Sequence, residues 1–119
     1  MTQDLLAISF DCADAAKLAD FWAAAFGRSV APGGSPESAR IAIGDPDGAG
    51  PLLMFHQVAE SKVVKNRVHL DLSTTDAAAD TQRLLDLGAS VLHVFEVDGR
   101  HRWTTFADPE GNEFDLVSV

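Results

Sequence analysis

Four histidines (His56, His69, His93 and His101), one cysteine (Cys12) and two tryptophans (Trp22 and Trp103) carry most of the special chemistry in this 119-residue chain. Imidazole can act as general acid or base, or ligate a borderline divalent metal. His69 stands two residues before Asp71. It is therefore either a ligand or acid/base group, or a half-buried strand histidine bonded to Asp71 or Asp115. His93 and His101 flank Asp98-Gly99 and are expected at the surface. Trp103 either stacks on a planar ligand or packs in the core, whereas Phe21 and Trp22 have helical core spacing. Cys12 has no partner for a disulfide, no thiol cluster for zinc and no neighbouring base, which makes it a small buried hydrophobe. Tyrosine is absent, so no phenolic acid is available. Phosphate loops, CxxC pairs and Ser/His/Asp orders are also missing, and nucleotide hydrolysis, thiol redox and acyl transfer lack support.

Eighteen acidic residues against nine basic ones give a net charge of −9, which repels phosphate backbones and anionic lipid heads. Neither nucleic acid nor a membrane is an expected partner. No apolar run is long enough to span a bilayer, and Met1-Thr2-Gln3-Asp4 lacks the basic start of a signal peptide, so a cytoplasmic location is expected. The length suits one domain, 1–119, and 46% hydrophobic residues suffice for a core without staples. Lys62, Lys65 and Arg67 lie in a short polar connection, where they either attract an anionic substrate or stay solvated.

The elements that must position these groups are repeated. Asp14 opens an Ala-rich helical stretch ending at Gly27-Arg28-Ser29-Val30, and Asp76 opens another ending at Gly88-Ala89-Ser90-Val91. Asp45-Pro46-Asp47-Gly48 is likewise matched by Asp108-Pro109-Glu110-Gly111, and the three offsets lie between 61 and 63 residues. Each copy reads as strand, helix, then three strands, the first copy over about 5–60 and the second over about 66–119. In residues 5–12, Leu6, Ile8, Phe10 and Cys12 alternate with Leu5, Ala7, Ser9 and Asp11; Val68, Leu70 and Leu72 alternate with His69, Asp71 and Ser73 in the second copy. Leu18, Phe21, Trp22, Ala25 and Phe26 form the inward stripe of the first helix, and Ala77, Thr81, Leu84 and Leu85 that of the second. Both Asp-Pro-x-Gly tetrapeptides fit type I turns leading into the last strands, 52–58 and 113–117. The stretch 31–38, rich in Gly, Pro and Ser, reads as a loop. A single copy leaves one sheet face uncovered, so that face must meet its twin, within the chain or across a dimer.

Phe21-Trp22 late in the first helix, Asn66-Arg67-Val68-His69-Leu70-Asp71-Leu72 entering the second copy, and Asp108-Pro109-Glu110-Gly111-Asn112-Glu113-Phe114 closing it make the chain resemble the vicinal oxygen chelate superfamily. More narrowly, it is similar to glyoxalase-like domains of the glyoxalase, bleomycin-resistance and extradiol dioxygenase group. The resemblance covers roughly residues 5–118 and implies an α+β fold in which two βαβββ modules pair into a cupped eight-stranded mixed sheet with helices outside. It also implies a homodimer. In metal-dependent members a divalent ion is held by the first and last strands of each copy. Carried over by the repeat, those positions are Ala7, Met54, His69 and Asp115, and neither alanine nor a thioether suits that ion chemistry. Sliding one strand by two residues puts His56 in place of Met54, and His56, His69 and Asp115 would then form a metal set.

Three functions follow from the resemblance. The first is a metal-free protein that binds or processes a small hydrophobic or aromatic compound. Here His69 and Asp115 are the catalytic or polar contacts, and Ala7, Met54, His56 and Trp103 line the ligand. The second is a metal-dependent lyase, isomerase or dioxygenase using His56, His69 and Asp115. The third is a dimerising scaffold with a vestigial pocket.

Overall fold

The two helices start and stop as their capping residues dictate. Asp14 takes an extended conformation, and its carboxylate accepts the Lys17 N–H at 3.1 Å, opening α1 (Ala15–Phe26). Gly27, with φ of 65°, closes it by donating to Ala24 while Arg28 donates to Ala23. A residue with Cβ would be strained in that left-handed conformation. Asp76 opens α2 (Ala77–Leu87) in the same way through the Ala79 N–H, and Gly88 ends it at φ of 115°.

The computed structural model describes residues 2–44, 48–97 and 101–119, which fall into two compact units, Met1–Ser61 and Lys62–Val119. In the first unit, β1 (Ala7–Cys12) pairs in parallel with β3 (Leu52–Gln57), which pairs antiparallel with β2 (Ser38–Ala42). Period-2 alternation divides this sheet cleanly. Cys12, Ala39, Ile41, Leu53 and Phe55 are buried on one face beneath Leu18, Phe21 and Trp22 of α1. Phe10 joins them, with its ring 5.4 Å from Trp22 and 5.2 Å from Phe55. Ala7, Ser9, Asp11, Met54, His56, Ser38 and Arg40 share the opposite, open face.

In the second unit, β4 (Leu70–Thr74) pairs in parallel with β7 (Glu113–Ser118), and β6 (His101–Ala107) and β5 (Ser90–Val97) follow in antiparallel order. Its core is Leu84 of α2 packed with Ala89, Phe106, Phe114 and Leu116, the two phenylalanine rings stacked at 5.3 Å. Both units thus carry the α+β module expected of the repeat.

Several local expectations need correction. Among the described residues there are seven strands, three in the first unit and four in the second, not eight. The segment after α1 that corresponds to β5 is no strand, because Pro32 offers no ladder donor and Gly33 turns at φ of 89°. It touches the sheet through the Ala31 N–H on the Arg40 carbonyl at 2.9 Å. Leu5, Leu6 and Val68 precede their strands and are exposed. Leu85 is also exposed, since Leu84 holds the inward position of α2 and its successor is rotated off it. Asp45, Pro46 and Asp47 of the first turn, and Asp98 and Gly99, lie outside the described residues.

The second turn forms as expected, with the Gly111 N–H donating to the Asp108 carbonyl at 2.9 Å. The buried Asp108 carboxylate also accepts the N–H groups of Glu110 and Asn112 and the Asn112 side-chain amide. Just after this turn, Glu113 pins the inter-unit segment. Its carboxylate meets Lys62 Nζ and the Asn66 N–H, each at 3.0 Å, and its carbonyl accepts the Asn66 side-chain amide. Lys62 is therefore bound to protein and is not a free cation. Burial pushes the Glu113 pKa up, but the Asn66 N–H and the Lys62 ammonium push it down further, leaving it below the ordinary glutamate value.

Two measurements follow. Replacing Asp108 with Ala strands part-buried N–H groups and should cost about 1–3 kcal/mol in urea unfolding, with Asn recovering part of it. Glu113 has a folded pKa below its unfolded one, so its carboxylate stabilises fully above the unfolded value and loses that effect as pH falls through the folded value. The stability gap between the wild type and Glu113→Gln should accordingly hold from pH 7 to about pH 5 and close in more acidic urea titrations.

Candidate functional site

The ladders of the second unit lay side chains across its open face in rows. Asp71 is the partner of Asp115 on β7, Asp115 of Thr105 on β6, and Thr105 of His93 on β5. The next row runs from Ser73 through Val117 and Trp103 to Phe95. His69 lies just ahead of β4, two residues from Asp71 and on the same face. The Asn66 contacts to Glu113 hold the chain that leads into it.

The first row is polar and closely connected. His69 Nε2 lies 3.2 Å from Asp71 Oδ1 and 3.4 Å from Asp115 Oδ2. The Thr105 hydroxyl donates to Asp115 Oδ1 at 2.6 Å. Asp115 is the shielded member, with its side chain 16% exposed against 41% for His69 and 61% for Asp71. Two carboxylates directly opposed in a ladder repel one another, and the imidazole edge set against both relieves that when it carries a proton. With Nε2 engaged by the carboxylates, Nδ1 is the ring nitrogen left for a ligand.

Beside this row runs a series of rings. Phe95 stacks on Trp103 at 5.0 Å with the planes 18° apart, and His93 lies 5.3 Å from Phe95. Phe95 is exposed and Trp103 half-buried, so an aromatic surface adjoins the polar cluster on one sheet face.

In the first unit Ala7 pairs with Leu52, Met54 lies between Ser9 and Arg40, and His56 lies between Asp11 and Ser38. Ile8 pairs with Leu53 as Leu70 pairs with Phe114, so Met54 occupies the repeat position of Asp115, and His56 that of Val117. Within the first unit the ladder sets Met54 opposite Ser9, as the second sets Asp115 opposite Asp71, and His56 lies two residues further along the same face. The third group beside His69 and Asp115 is Asp71, and one donor atom from each of the three lies within 4.8 Å of the others. An imidazole and two carboxylates suit a divalent ion that accepts oxygen and nitrogen, and three protein ligands leave positions open. Asp71, Thr105, Phe95 and His93 were the residues sequence reasoning missed as site members. The i, i+2 spacing from His69 could have found Asp71, whereas the other three depend on cross-strand register.

The comparisons with known proteins agree on the fold. A family model described as glyoxalase-like domain matches residues 7–117. No curated protein matches the chain. A glyoxalase/bleomycin resistance protein/dioxygenase family enzyme from Burkholderia phytofirmans is 16% identical with a TM-score of 0.76, over 98% of this chain and 99% of its own. Fosfomycin resistance protein FosX from Mesorhizobium loti is 17% identical with a TM-score of 0.74, over 100% of this chain and 94% of its own. TioX from Micromonospora is 15% identical with a TM-score of 0.64, over 98% of both chains. With 15–17% identity these neighbours speak for fold, and the family match over nearly the whole length speaks for descent: the chain belongs to the glyoxalase-like domain family.

Proposed function

We propose that the protein binds a small planar organic compound on the open face of the second unit, without needing a metal. The observation that supports this is the adjacency of the Phe95–Trp103 stack to the His69–Asp115–Thr105 cluster. Rings of Phe95 and Trp103 offer a rigid apolar surface that costs little side-chain entropy to present. His69, oriented through Nε2 by Asp115, offers Nδ1 as an acceptor to a hydroxyl of the ligand. Thr105 holds Asp115, so the imidazole has a fixed orientation before the ligand arrives. In this reading His69 is the group that would take or give a proton if the bound compound is turned over, with Asp115 supporting the charge.

A second reading rests on the three donors within 4.8 Å. His69, Asp71 and Asp115 would hold a divalent ion, which supplies a Lewis acid to paired substrate oxygens when bound.

Metal analysis of untagged protein prepared without chelator separates the two. We expect no stoichiometric Mn, Fe, Ni or Zn, and an aromatic ligand found by thermal-shift screening should bind equally well after chelator dialysis. Ion at one equivalent that disappears in both His69→Ala and Asp71→Asn would support the second reading and overturn the first. For the ligand so found, Trp103→Ala should weaken binding by about three- to tenfold, the worth of one stacked pair.

A further inference from the structure

The first unit carries a cavity that the reading of the second unit does not use. It is a half-open hollow of about 240 Å³ on and beside the open face of the first sheet, bordered by Ala31, Pro32, Gly33 and Gly34 with Ser38, Arg40 and Met54 among the strand residues. Its origin is the strand that this unit lacks. Where β5 completes the second sheet, the first has a loop that leaves the edge at Ala31, turns at Gly33 and returns through Ser35, whose N–H donates to the Ser38 carbonyl at 2.8 Å.

The lining chemistry is unusual for this chain. Acidic residues outnumber basic ones two to one overall, yet among the described residues no carboxylate lines the cavity and Arg40 does. Among the described residues Arg40 has no carboxylate within ion-pair distance. Its guanidinium therefore has its full fork of donors to offer, and Ser38, two residues away on the same face, adds a hydroxyl. Met54, the neighbour of Arg40 on β3, and Pro32 add apolar surface. A planar fork of donors beside a small apolar wall matches a carboxylate carrying a short hydrocarbon or a single ring. The volume is below that of drug-sized sites, which limits the guest to a small one.

We propose that this cavity is a binding site for a small organic monocarboxylate, held by Arg40 through its carboxylate and by Met54 and Pro32 through its apolar part.

The test is a titration of the 15N-labelled full chain with benzoate, followed by NMR. The amide signals of Gly33, Gly34 and Arg40 should move saturably in the millimolar range, which one charge-assisted fork and a small apolar contact can supply. Benzamide, the neutral counterpart, should leave them in place. Arg40→Gln should weaken benzoate binding about tenfold or more, and Arg40→Lys by less, because it keeps the charge but loses the fork. An unchanged dispersion of the remaining signals shows that each variant is folded. The proposal is overturned if benzamide binds as well as benzoate, if Arg40→Gln titrates like the wild type, or if no saturable shift occurs. Inorganic phosphate binding as tightly as benzoate would overturn it too, since the apolar wall would then contribute nothing. Shifts confined to the Trp103 indole and its neighbours would place benzoate on the second unit and likewise sink it.

Discussion

Everything at the candidate site depends on the parallel pairing of the first and last strands of a module. Antiparallel strands can be joined by a tight turn, but a parallel pair requires the intervening chain to cross over. In the second unit that crossover is α2, β5 and β6, and its result is that Asp71 and Asp115, far apart in sequence, become direct ladder partners. The hydrophobic alternation enforces this register. A slip by one residue would expose Phe114 and Leu116 and bury Asp115, so the core on one face fixes the chemistry on the other.

That arrangement has an electrostatic cost. Asp71 opposite Asp115 is a like-charge pair, of the kind that disfavours a ladder. The structure answers it with two groups. Thr105 donates to one oxygen of Asp115, and His69 approaches the other oxygen together with Asp71. A purely structural face could avoid the repulsion by replacing one aspartate. Keeping both, with an imidazole between them and rings beside them, concentrates negative charge and an oriented nitrogen where a ligand or cation would meet them.

Much of the fold was legible because it was written twice. Asp14 and Asp76 as caps, Gly27 and Gly88 as stops, and the Asp108 turn follow from local side-chain chemistry that needs no tertiary context. The position of Asp115 beside His69 was also within reach, because the repeat tied both to the same strands. Phe95 and His93 were not, because β5 owes its register on β6 to a shift between Val91 and His93 that residue types do not announce. Leu85 misled for a related reason. Two adjacent leucines both look apolar enough to face inward, and only packing decides that Leu84 does.

The two modules share a scaffold and differ in what they place on it. Position for position, Thr105 and Asp115 of the second sheet correspond to Arg40 and Met54 of the first, each pair being ladder neighbours. Loss of one strand from the first module converts a sheet edge into a loop-walled cavity, while the full sheet of the second supports a continuous row from Asp71 to His93. Substitution at an open-face position costs the core nothing, because the opposite face does the packing. Duplication of such a module therefore leaves each copy free to acquire its own polar chemistry: a cation and a thioether in one, an imidazole between carboxylates in the other.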